Sequence, residues 1–72
     1  MDRTGLLGCI ERVLIHVSVY HKERDASTWA EKLAMTLMRM RMGKIGHAKA
    51  TNILRRLASE ADRYDTQENP GG

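Results

Sequence analysis

Between residues 1 and 69 the sequence holds no proline; Pro70, near the end of the chain, is the only one. Proline removes a backbone donor and clashes with the preceding turn, so its absence leaves that whole span open to helix. Cysteine occurs once, at Cys9. That excludes an intramolecular disulfide and makes a reducing compartment the default expectation. Aromatics are scarce: Trp29, Tyr20 and Tyr64, with no phenylalanine. Seventy-two residues suffice for one domain, and a chain of this size buries only about 60% of its unfolded surface. Without disulfides or many aromatics, self-association is the expected stabiliser, and we expect a homodimer. Long apolar runs are missing too. Residues 13–20 are interrupted by His16 and Ser18 and are too short to span a bilayer. The N-terminus lacks the basic region and small-residue cleavage site of a signal peptide. The expected location is the cytoplasm, with no membrane partner.

What is present is a segregated charge pattern. Residues 39–56 carry six cations (Arg39, Arg41, Lys44, Lys49, Arg55, Arg56) and no carboxylate. The preceding residues balance five Lys/Arg against five Asp/Glu, and the following ones set Arg63 against Glu60, Asp62, Asp65 and Glu68. The net charge of +3 therefore describes a basic segment on an otherwise balanced chain, which attracts polyanions or acidic protein surfaces.

Apolar spacing predicts three helices and hence an all-α fold: a small three-helix bundle, or a helical hairpin plus a third helix, completed by dimerisation. Over 4–21, Leu6, Ile10, Val13, Leu14 and Val17 recur at intervals of three and four. Leu7, Ile15 and Val19 fall off this stripe, so the helix is apolar around more than half its circumference and needs two partners or a dimer mate. The β-branched residues of 13–20 also suit a strand, but the helical spacing extends over four turns. Thr28-Trp29-Ala30-Glu31 fits a capping box, predicting a second helix from Thr28. Its expected stripe is Ala30, Leu33, Ala34, Leu37 and Met38, widened by Trp29 and Met40. Gly43 and Gly46 end it. A third helix is predicted over 47–64 with Ala50, Ile53, Leu54, Leu57, Ala58 and Ala61 on one face. The single domain is thus expected over 1–64, followed by a disordered tail at 65–72.

Two surfaces stand out as candidate sites. On the third helix Lys49, Asn52 and Arg56 align at i, i+3 and i+7, with Lys44 and His47 at its start and Arg39 and Arg41 before the turn. Cations and exposed N–H groups at a helix N-terminus suit phosphates, and Asn and Arg read base edges; the same set suits an acidic protein. The second surface is apolar. Met35, Met38, Met40 and Met42 cannot all face one core, and flexible thioethers adapt to irregular partners. Together with Leu6, Ile10, Val13, Leu14, Val17 and Trp29, we expect Met35, Met38 and Met42 to form a dimer or partner interface.

The stretch 41–57, centred on Ile45-Gly46-His47-Ala48-Lys49-Ala50, resembles the recognition region of the gamma domains of DNA translocases. Those are winged-helix DNA readers with a similar Ile-Gly-aromatic turn and an Ala-rich second helix. The resemblance implies a DNA-reading helix at 47–64, although the family's β-wing has no counterpart after Tyr64. Gly43-Lys44-Ile45-Gly46 also has the spacing of the KH-domain backbone clamp. A KH domain needs strands on both sides, so the plain helix–helix turn is the better reading.

Chemistry is harder to place. Cys9 and His16 are spaced i, i+7 and His16 and His21 i, i+5, and neither makes a compact zinc pair; Cys9 reads as a small core residue and the histidines as solvent or interface residues. No nucleophile has a base at a useful spacing, and Gly43-Lys44 lacks the other elements of a phosphate loop. Room for a substrate cleft of several hundred Å³ is not expected in so short a helical chain. No cofactor, metal or catalysis is expected. The expectation is a small non-enzymatic regulatory protein that binds a larger protein through helical apolar and basic surfaces and modulates its activity, for which a modulator of the phage or mobile-element type is a plausible setting. The alternative is a compact dimeric helix-turn-helix DNA-binding transcriptional regulator using 47–64.

Overall fold

The computed structural model describes residues 5–68. It is all-helical, with α1 at Leu6–Val19, α2 at Arg24–Arg41 and α3 at His47–Glu68, all three packed on one another. The β-strand alternative for 13–20 is not adopted. The expected end of the third helix at Tyr64 moves to Glu68; the remainder of the expected tail, 69–72, lies outside the described residues.

Each helix has a core face, and two of the three are rotated from the predicted stripes. In α1, Cys9 and Val13 are fully buried and Leu6, Ile10 and Val17 pack against the core, but Leu14 is 52% exposed. In α2 the buried residues are Ala26, Trp29, Leu33 and Thr36, while Ala34 and Met38 are exposed. A threonine was not expected in the core. It is tolerated because its Oγ1 donates to the Lys32 carbonyl at 2.8 Å, and Thr51 does the same to His47. In α3, Ala50, Leu54, Leu57, Ala58 and Ala61 are buried as the spacing predicts, with Ile53 half-buried.

The capping box at Thr28 does not form. Helix α2 begins a turn earlier, at Arg24, and its N-cap Glu23 makes no side-chain cap bond. A cap is worth about 1 kcal/mol. Starting earlier seats Ala26 and Trp29 on the core face beside Leu33, and burying a large side chain contributes about 2 kcal/mol or more. Burial outweighs the cap.

At the other end of α2 the glycine prediction holds in detail. Gly43 has φ +77°; its N–H donates to Met40 and that of Lys44 to Arg39. This is the Schellman arrangement, in which a left-handed glycine lets the last carbonyls find donors.

The three aromatic residues meet at the opposite end of the bundle. Tyr20, Trp29 and Tyr64 pack edge to face, with centroids 5.1 Å (Tyr20–Tyr64), 5.3 Å (Trp29–Tyr64) and 6.1 Å (Tyr20–Trp29) apart. His16 lies edge-on to Trp29 at 6.3 Å. It is therefore a packed residue rather than the solvent or interface residue that was expected. Its Nδ1–H donates to the Arg12 carbonyl, and its Nε2 lies 3.2 Å from Asp62, which Arg12 also engages. One carboxylate on α3 thus holds two side chains of α1.

Candidate interaction surfaces

Two adjoining open grooves, of about 690 and 590 Å³, run between α2 and α3. The first is lined by residues 25–32 of α2 and 55–64 of α3, the second by 28–39 and 53–60. Moving toward the C-terminus of α2 thus means moving toward the N-terminus of α3. The helices lie side by side and antiparallel, as an αα-hairpin.

The trough corrects the expectation that no cleft of several hundred Å³ would fit. It is highly charged, its walls including Asp25, Lys32, Arg39, Arg56, Glu60 and Arg63. Its hydroxyl-bearing residues are Thr28, Thr36, Ser59 and Tyr64, and its lining includes no histidine or cysteine to activate them. Among the described residues no group of three or more His, Cys, Asp and Glu is arranged to hold a metal.

The predicted basic set is exposed throughout. Lys49, Asn52 and Arg56 share the outer face of α3, while Arg39, Arg41, Lys44 and His47 cluster about the α2–α3 turn. Arg55 donates to Asn52 Oδ1 at 3.1 Å, which engages one polar group of the side chain expected to read a base edge. Arg39 and Arg41 occupy the last turn of α2, where cations complement the helix dipole. His47 and Lys49 have no such rationale: the first turn of α3 holds no acid, and its dipole disfavours positive charge there.

The predicted apolar interface divides in two. Val13 and Trp29 are buried within the single chain and Leu6, Ile10 and Val17 are packed against its core, so the core stripe was conflated with the interface. Leu14, Met35, Met38 and Met42 are exposed. Joining them are Leu7 (79% exposed), Ile15 and Val19, the residues that fell off the predicted stripe of α1. Their departure from the core periodicity was the signal that they face outward. The charged trough was not anticipated, because Lys32 and Arg63 lie outside the basic segment and join it only through the hairpin.

Among the described residues no helix is long and apolar enough to cross a membrane. Comparison with protein-family models, curated proteins and solved structures finds no match. The three-helix bundle class is therefore defined by the fold itself, and function has to be argued from the surfaces.

Proposed function

We propose that this chain is a small non-enzymatic regulatory protein that binds a larger protein through its outward helical surfaces and modulates that protein's activity. The observation that carries the reading is the set of large apolar residues on the outer sides of α1 and α2: Leu7, Leu14, Ile15, Val19, Met35, Met38 and Met42. Scattered exposed apolar residues are ordinary, but faces this rich in them on a small domain mark protein contact. Methionine adds adaptability to the partner's shape. The neighbouring cations supply steering toward an acidic surface, with most of the affinity residing in the apolar anchors.

The test is capture on immobilised protein from nuclease-treated extract, comparing the unaltered chain with Ile15→Asp and Met35→Asp. Both residues are exposed, so the substitutions leave the core intact. One defined protein should be retained at stoichiometric amounts, lost with either variant, and altered in activity when the chain is added to it in solution. Retention that is the same for all three proteins, or no retention, counts against the reading.

A further inference from the structure

The trough between α2 and α3 differs in chemistry between its bottom and its walls. Trp29 and Leu57 are buried and Ile53 and Tyr64 half-buried, so an apolar line runs between the helices, with Met35 at its rim. The walls are exposed and charged. They set five cations (Lys32, Arg39, Arg55, Arg56, Arg63) against three carboxylates (Asp25, Glu31, Glu60), a net charge of +2. Proximity does not pair them. Among the described residues the side chains of Lys32, Arg39, Arg56 and Arg63 form no ion pair and no hydrogen bond, although Glu60 stands one helical turn from both Arg56 and Arg63. Asp62, by contrast, holds Arg12 and His16 of α1. The donors of these four wall cations are uncommitted. Helix α1 packs on both α2 and α3 yet contributes no residue to the trough, so it covers the other side of the hairpin and leaves this one open.

We propose that the trough receives an acidic amphipathic helix of a protein partner, laid along the hairpin as a fourth helix. Its apolar stripe rests on Met35, Ile53 and Leu57, and its carboxylates meet Lys32, Arg39, Arg56 and Arg63. The lining spans 25–39 on α2 and 53–64 on α3. At 1.5 Å per residue that is about 17–21 Å, a length that three to four turns of helix fill. The excess of cations sets the sign of the partner's charge. Because they stay at the solvent rim, they select the partner and speed its encounter, while the apolar line supplies the affinity. A nucleic acid suits the trough poorly. Its continuous phosphate backbone would face Asp25, Glu31 and Glu60, and the apolar line would be left without a counterpart. The proposal rests on the protein-binding reading for the existence of a protein partner, but of the residues that carry that reading it uses Met35 alone.

The experiment titrates the full chain into fluorescently labelled, end-capped peptides of about 15 residues, long enough for four turns. One carries leucines at helical spacing flanked by glutamates, the second the same leucines flanked by lysines, and the third the glutamate composition with its leucines scrambled. The first should bind about tenfold or more tightly than either of the others, and its advantage over the lysine peptide should narrow as salt rises. Lys32→Glu and Arg56→Glu should each weaken it about fivefold or more, while Ile15→Asp and Lys44→Glu leave it unchanged. Circular dichroism checks the helicity of each variant, and the comparison of peptides on the unaltered chain stands even if a variant unfolds. Equal binding of the three peptides, binding of none, or indifference to both charge reversals overturns the proposal. So does duplex DNA bound more tightly than the glutamate peptide and lost on the same reversals, which would assign the trough to nucleic acid. Capture of a protein target that depends on Ile15 but not on Lys32 or Arg56 overturns the trough site and retains the protein-binding reading. A glutamate peptide held in the trough with no target captured supports the site while that reading fails.

Discussion

Gly43 is the one described residue with a positive φ, and the Schellman turn depends on it. A Cβ there meets nothing within 4 Å, so the cost of Gly43→Ala is backbone strain alone. Loss of about 1 kcal/mol is expected, read as a lower urea midpoint at unchanged slope. Gly46 differs. Its carbonyl accepts from the Ala50 N–H in the manner of an N-cap, its φ is not left-handed, and its surroundings are open. Gly46→Ser should add about 0.3 kcal/mol by supplying a capping hydroxyl. If the two substitutions had equal effects, the assignment of the turn to Gly43 would be wrong. A second residue-scale prediction concerns Asp62. A double-mutant cycle between Arg12→Ala and Asp62→Ala should give a coupling of about 0.5–1 kcal/mol that shrinks as salt rises, as for a half-exposed ion pair. Zero coupling at low salt would mean that the pair does not hold α1 against α3.

At the scale of the helices, the aromatic end is where packing concentrates. Trp29 is 3% exposed and touches both tyrosines and His16. Trp29→Ala should cost about 3–5 kcal/mol, comparable with the whole stability of so small a domain. Near-UV dichroism and cooperative melting should disappear together. A variant that kept its melting transition but lost partner binding would return Trp29 to an interface role. This residue also shows how far the sequence could be read. The number of helices, the stop at Gly43 and the core face of α3 were all legible, because periodicity and glycine chemistry act within one segment. The start of α2 was not, since Thr28-x-x-Glu31 is a valid local cap signal that the burial of Ala26 and Trp29 overrides. Thr36 is absent from the expected stripe, which was built from apolar residues, although its hydroxyl is satisfied within its own helix. On α1 the core stripe and the outward stripe have similar composition, and only the partner helices distinguish Val13 from Leu14. The trough joins side chains some 30 residues apart in sequence, such as Lys32 and Arg63, and no local pattern encodes that.

For the molecule as a whole, the open question between the two functional readings is what the basic segment meets. Six exposed Lys, Arg and His residues on α3 and its preceding turn (Lys44, His47, Lys49, Arg55, Arg56 and Arg63) would favour nucleic acid if they formed a flat, continuous, cationic face, but the hairpin interleaves them with acids. Glu60 shares the trough with Arg56, and Asp25 shares it with Arg63, so much of the positive potential along α3 is offset locally. What remains uncompensated is the tip around Arg41, Lys44, His47 and Lys49, few cations for a module that would bury the 600–1,000 Å² of single DNA-reading domains. Duplex DNA should therefore bind only as a loose polyelectrolyte contact. Titrating labelled duplex at about 50 and 200 mM salt, we expect dissociation constants no tighter than about 10 µM at the lower salt and no measurable binding at the higher. The slope should correspond to about two or three phosphate contacts and fall by about one in Lys49→Ala, with Arg56→Ala changing it less because Arg56 lines the trough that also holds Glu60. Submicromolar binding that persists at 200 mM salt, or an equal loss of slope in both variants, would transfer the function from a protein partner to DNA.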